Sequence, residues 1–113
     1  MHEYSIVQSL LDSCAENAKA NDAKKVTKVV VKIGVLSGVE PDLLQVAFDT
    51  FKEKTICEEA EFIMNIQPVV IKCKKCKEES ILDKHQYNCP KCESIEITII
   101  DGEDMFLMQL ELE

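Results

Sequence analysis

The chain has no tryptophan and only two tyrosines and four phenylalanines, so aromatic residues make up 5% of its 113 residues. A base-stacking platform for single-stranded nucleic acid needs several such rings on one face, and none is evident. Positive charge is scarce too: 13 basic residues against 21 acidic ones leave a formal net charge of -8. Nucleic-acid binders carry a basic face that displaces counterions, and this balance disfavours that class. Lys72, Lys74, Lys75 and Lys77 form one local cluster, which reads as a solvated loop. Long apolar runs are missing. The first twenty residues contain Glu3, Asp12, Glu16 and Lys19, so neither a secretory leader nor a membrane span is expected. Neither histidine, His2 or His85, has a neighbouring Ser or Cys with an orienting acid, so no hydrolase constellation is visible and no enzyme is expected. Repeats and low-complexity linkers are absent.

What is present starts with cysteine. Four of the six fall into Cys73-Lys74-Lys75-Cys76, twelve residues, and Cys89-Pro90-Lys91-Cys92. A two-residue gap lets both thiolates of one tight turn point at one ion, and a second pair closes a tetrahedron. That is the ligand spacing of a structural tetrathiolate zinc site. Closed S4 coordination suits zinc or iron and leaves no open position for a substrate water. The glycine often found after the second cysteine is replaced by Lys77 and Glu93. About twenty residues around these cysteines could not fold on burial alone, and zinc binding supplies on the order of 10 kcal/mol in zinc-finger peptides. Cysteines in metal spacing rather than a disulfide framework point to a reducing cytoplasm.

The amino terminus, Met1-His2-Glu3, is a second chemical signal. The terminal amine, the His2 amide and the His2 imidazole can close fused five- and six-membered chelate rings on one metal, and Glu3 can complete a fourth position. Square-planar N,O coordination of this kind suits Ni(II) or Cu(II).

The rest of the chain reads as an α+β fold, a small mixed β-sheet with two helices and an inserted zinc ribbon. Tyr4 to Ala20 is an amphipathic helix with Ile6, Val7, Leu10, Leu11, Cys14 and Ala18 on one face. Val26 to Gly34 is a strand with Val29, Val31 and Ile33 turned one way and Lys28 and Lys32 the other. Gly34 to Gly38 is a turn without the Gly-Lys-Ser/Thr ending of a phosphate loop. Glu40-Pro41-Asp42 opens a second helix whose buried face is Leu43, Leu44, Ala47, Phe48 and Phe51. Cys14 and Cys57 read as small core residues, and His85 as a surface residue. Glu61 to Val70 is a strand with Phe62, Met64 and Ile66 on one face. Ile95, Ile97 and Ile99 alternate with polar residues, and after a turn at Asp101-Gly102 a last strand puts Phe106, Met108, Leu110 and Leu112 on one face. The last strand joins a sheet whose other strands precede the cysteines, so residues 1–69 and 96–113 form the α+β domain and 70–95 are an insertion.

Three features coincide: Met1-His2-Glu3 before an amphipathic helix, the run GVLSGVEPDLLQVAFD from Gly34 to Asp49, and the late double Cys-x-x-Cys. Together they resemble the HypA/HybF family of hydrogenase-maturation nickel metallochaperones along the whole chain. The resemblance implies a non-catalytic carrier with nickel as cargo. His2 would be the required nickel ligand, with Met1 and Glu3 contributing and the acidic side chain of Glu40 a candidate nearby. Cys73, Cys76, Cys89 and Cys92 would hold the family's structural zinc. The implied partners are the GTPase that accompanies nickel insertion and the large subunit of [NiFe]-hydrogenase; some bacterial members also serve urease with its accessory proteins. A monomer or a homodimer is compatible with this reading. Two rivals remain: a zinc-ribbon interaction module without cargo metal, and a rubredoxin-like electron carrier with iron in the same thiolates.

Overall fold

The computed structural model describes residues 3–82 and 87–113, so Met1, His2 and His85 lie outside the described residues. Helix α1 spans Glu3–Ala20 and buries Val7, Leu10, Leu11, Cys14 and Ala18, the apolar stripe that its 3.6-residue period brings together. It ends where Asp22 takes a left-handed conformation (φ 53°). The Ala23 amide then donates to the Ala18 carbonyl at 2.8 Å and the Asp22 amide to that of Lys19 at 3.3 Å, a Schellman pattern that satisfies the last carbonyls of the helix.

Strand β1 (Val26–Gly34) is the centre of the first sheet, whose order is β2-β1-β6. It runs parallel to β2 (Glu61–Gln67) and antiparallel to β6 (Met105–Leu112). The parallel pair needs a crossover, supplied by α2 (Pro41–Phe51), with Pro41 in the first turn where its missing N–H leaves no helical bond unmade. Val26, Val29, Val31 and Ile33 of β1 share one buried cluster with the apolar faces of both helices. Phe48 stacks on Phe62 with ring centres 4.3 Å apart, and Tyr4 meets Phe51 edge-on at 5.3 Å. On the opposite face of β1, Lys28 pairs with Glu111 at 3.1 Å and Lys32 with Asp101 at 2.8 Å.

The second sheet has order β4-β3-β5, with β3 at Val70–Cys73, β4 at Glu79–Ile81 and β5 at Ile97–Asp101, all antiparallel. The two sheets meet at a backbone seam. The Gly34 amide donates to the Asp104 carbonyl at 2.9 Å, Val35 to Gln67 at 3.0 Å and Leu36 to Gly102 at 2.8 Å. A Cβ on Gly34 would lie 2.3 Å from the Gly102 carbonyl oxygen, so only glycine lets these strands approach. The molecule is elongated, 52 × 26 × 17 Å, with a radius of gyration of 17.3 Å, against about 13 Å for a compact domain of this length.

Several expectations need correction. The strand expected from Glu61 to Val70 stops at Gln67 and resumes at Val70, because Pro68 has no amide for a ladder and the chain changes sheets there. Ile97–Asp101 pairs with β3 in the second sheet, so the expected return to the α+β domain at residue 96 comes later, after Gly102; alternation reveals a strand but not its partner. On β6 the register jumps from Val30↔Gln109 to Val31↔Leu107. Met108 is the extra residue of a β-bulge, which reverses the pleat. Met105 and Leu107 therefore join Leu110 and Leu112 against the core, and Phe106 and Met108 are exposed. Leu43 and Ile66, expected inside, are also exposed: α2 is covered only along its 44-47-48-51 stripe, and Ile66 is near the end of the edge strand β2.

Candidate metal centre

Both cysteine pairs sit on tight turns at one end of the second sheet. Cys73 is the last residue of β3, where its backbone pairs with Ile97. The Lys77 amide donates back to the Cys73 carbonyl at 3.0 Å, and the Glu93 amide to that of Cys89 at 2.7 Å. Closing each turn this way puts Lys77 at φ 67° and Glu93 at φ 64°, the conformation glycine adopts without strain. The two positions that lack the customary glycine thus take its geometry all the same.

The four sulfurs of Cys73, Cys76, Cys89 and Cys92 lie within 4.8 Å of one another. Cys73 Sγ is 3.5 Å from Cys92 Sγ, and Cys76 Sγ is 3.7 Å from Cys89 Sγ. A regular tetrahedron with metal–sulfur bonds of about 2.3 Å has edges of about 3.8 Å, so the cluster has the size of a tetrathiolate around one ion. Cys73 and Cys89 are buried, Cys76 half-buried and Cys92 exposed, which leaves one side open to an arriving ion.

Backbone amides surround the sulfurs in a repeated pattern. Lys75 and Cys76 donate to Cys73 Sγ at 3.4 Å each. The amides of Cys92 and Lys91 act likewise on the Cys89 thiol, that of Glu78 on Cys76 and that of Ser94 on Cys92, each favouring the thiolate. Chiefly through the Cys76 amide, and against its burial, the Cys73 thiol is held down to about 6. Burial raises Cys89, but its amides and neighbouring thiols outweigh that and lower it. At Cys76 the Glu78 amide acts downward, yet burial and the thiols of Cys73, Cys89 and Cys92 push it up to about 12. Four crowded sulfurs therefore resist full deprotonation until a cation replaces the last protons. The cysteine spacing pointed to the four sulfurs that meet here; the amide donors carry no side-chain signal and were invisible in it.

The second expected site is described only in part. Glu3 opens α1, and its Oε2 accepts a bond of 3.3 Å from the amide of Glu40, the residue preceding α2. The structure thus brings Glu3 and Glu40 together, 37 positions apart in the chain. Among the described residues, the four cysteines are the group of metal-ligating side chains close enough to share one ion.

Residues 1–112 match a family model described as HypA, hydrogenase/urease nickel incorporation, metallochaperone. The chain is 57% identical over 113 residues to the hydrogenase maturation factor HypA of Shewanella oneidensis, covering all of this chain and 96% of that one. It is 58% identical to the HypA of Aquifex aeolicus, covering all of this chain and 98% of the relative. Among solved structures, the Ni metallochaperone HypA from Helicobacter pylori superposes with a TM-score of 0.71 at 38% identity, covering 99% of this chain and 97% of that one. A second solution structure of a HypA protein gives 0.77 at 38% identity, covering 100% and 97%. No helix among the described residues is long and apolar enough to cross a membrane.

Proposed function

The chain belongs to the HypA family of hydrogenase and urease nickel-incorporation metallochaperones, and is no enzyme; within that family we propose that it carries one Ni(II) on Met1-His2-Glu3 and one structural Zn(II) on Cys73, Cys76, Cys89 and Cys92. The observation that supports this most is a family match over residues 1–112, a range that includes Met1-His2-Glu3 as well as the four cysteines.

The two donor sets are chemically distinct. Four thiolates in a closed tetrahedron hold a soft or borderline ion such as zinc and support the second sheet. A terminal amine, an amide nitrogen and an imidazole favour Ni(II), and because they belong to the chain end they can be lifted off the ion one at a time. His2 supplies the imidazole, Met1 the terminal amine and Glu3 the adjoining oxygen or amide. The Glu40 amide holds the Glu3 carboxylate at the start of α2, so the end of the chelate begins from an anchored position while its nitrogens remain on the chain terminus. In this reading the first sheet with its two helices serves nickel and the inserted ribbon, second sheet included, serves zinc. Nickel passes, with the nickel-insertion GTPase, to the large subunit of [NiFe]-hydrogenase, and urease with its accessory proteins is the alternative client. The work is done in the cytoplasm, by a monomer or a homodimer.

The test is calorimetric titration of nickel into zinc-loaded protein with a native amino terminus, beside His2→Ala and a variant with Gly-Ser placed before Met1. The expected result is about one nickel per chain for the native protein and none at this site for either variant. Equal binding by all three, or by none, would leave a zinc-stapled interaction module without cargo.

A further inference from the structure

A groove between α1 and β6 contains none of the residues assigned to either metal. Its volume is about 460 Å³, within the range of about 300–1,000 Å³ in which proteins hold ligands. The floor is apolar: Ile6 and Leu10 of α1, Val39 ahead of α2, and Met105 and Leu107 of β6. Leu10 and Val39 are buried, while Ile6, Met105 and Leu107 are half-buried and would gain from a cover. The helix does not close over the strand because the residues it turns toward β6 are Ser5, Ser9 and Ser13. Residues four apart form one row along a helix, and a row of hydroxymethyl groups leaves the space above Met105 and Leu107 open.

The strand that walls this groove is also an edge of its sheet, whose order is β2-β1-β6. Every second amide and carbonyl of an edge strand points away from the sheet, a template for a further strand; among the described residues β6 pairs with β1 alone. The Met108 bulge twists the later part of β6 away from regular pairing. The run beside the groove keeps an even register, Val31↔Leu107, Lys32↔Phe106 and Ile33↔Met105. Just ahead of that run, Glu103 and Asp104 are exposed and line the same groove. Among the described residues neither carboxylate has a salt bridge.

We propose that an extended, basic segment of a partner protein adds to β6 as a fourth strand of the first sheet. Main-chain bonds to β6 hold it, alternate apolar side chains enter the groove beside α1, and its basic side chains meet Glu103 and Asp104. The net charge of -8 draws such a segment in. A second copy of this chain is a poor occupant. Its β6, laid antiparallel, would set Glu103 and Asp104 against another Glu111 and Glu113, and like charges across an interface oppose binding. With a short run of backbone and a shallow floor, the contact is one that forms and releases readily. It does not depend on which metal the amino terminus carries.

The experiment titrates the zinc-loaded full-length protein, without nickel, with the capped synthetic peptide Thr-Val-Thr-Val-Thr-Lys-Lys and follows its amide resonances. Antiparallel addition brings the lysines of this peptide to Glu103 and Asp104. The expected result is shifts confined to residues 103–107 and the Ser5–Ser13 row, with slower hydrogen exchange of the outward amides of β6. Glu103→Lys combined with Asp104→Lys, both at exposed positions, should weaken binding about tenfold at low salt, and the gap should close as salt screens it. Ser9→Phe, which fills the groove from its exposed rim, should abolish binding, as should methylating alternate backbone nitrogens of the peptide. The proposal is overturned if the methylated peptide binds equally well, if the shifts fall elsewhere or are absent, or if sedimentation shows a dimer that protects β6 without peptide and is broken by Ser9→Phe.

Discussion

The first sheet and its helices bury a continuous apolar cluster that includes Phe48, Leu44, Ile33, Val31, Val29, Val26 and Val7. Among the described residues of the second sheet and its turns, the buried apolar side chains are only Ile71, Cys73, Leu82 and Cys89, and two of these belong to the cysteine cluster. The two halves are stabilised by different means. One has enough side chains to exclude water around a sheet, which is the dominant favourable term in folding. The other spans little more than thirty residues, and pieces below about 40 residues usually need a metal, disulfides or association to fold. Its exposed isoleucines, Ile81, Ile95 and Ile100, show how little of its apolar content can be put to use.

Metal removal should separate the halves most sharply. Stripping the ion with a strong chelator withdraws on the order of 10 kcal/mol from the second sheet. Amide resonances of residues 70–73 and 97–101 should collapse to unfolded positions while those of β1 and β6 persist; joint loss of both sets would show that the first sheet depends on the second. The converse lesion is Phe48→Ala, which opens a cavity beneath the Phe62 stack and should destabilise the first sheet by about 3–5 kcal/mol. Denaturant melts would read the loss, and bound metal should stay at its native ratio under native conditions. Lys77→Gly and Glu93→Gly act in the opposite direction. Each relieves a left-handed residue worth about 1 kcal/mol, so the variants should surrender metal to a competing chelator less readily, with the first sheet unchanged.

The smallest effect concerns the ion pair that joins the halves, Lys32 to Asp101. Lys32, together with the Gly102 amide, holds the Asp101 carboxyl below its ordinary 3.8. The folded protein thus binds that proton less readily than the unfolded chain. The stabilisation is fully present above the ordinary value and is lost as pH falls through the depressed one. Asp101→Asn should be slightly less stable than the native chain at neutral pH, with the two melts converging in acid. A difference that persists at low pH would mean that the side chain acts through packing.

Much of this was legible in the residues. The stripe Val7-Leu10-Leu11-Cys14-Ala18 and the alternation Val29-Val31-Ile33 each mark a buried face from a local period, and the two Cys-x-x-Cys pairs mark, from local turns, the four sulfurs that cluster. The failures share one cause: they depend on what lies across the sheet. Met108 becomes a bulge only because β1 advances one residue while β6 advances two, and nothing in the order Phe106, Met108, Leu110, Leu112 carries that slip. Ile97–Asp101 has the same alternation whichever sheet receives it. The left-handed backbone at Lys77 and Glu93 is imposed by amides closing on the Cys73 and Cys89 carbonyls, although both residue types disfavour it.

The seam at Gly34 has a further consequence. The chain leaves the first sheet at Gln67 and comes back at Asp104, and both residues are hydrogen-bonded to the same two-residue stretch, Gly34–Val35. Exit and entrance are therefore side by side, like the two ends of a bracelet at its clasp. Whatever is strung between them can be lengthened, shortened or exchanged without altering the register of β1 against β2 and β6. The ribbon is in this sense a cassette: its contents can change while the clasp, and the sheet and helices it is fastened to, stay as they are.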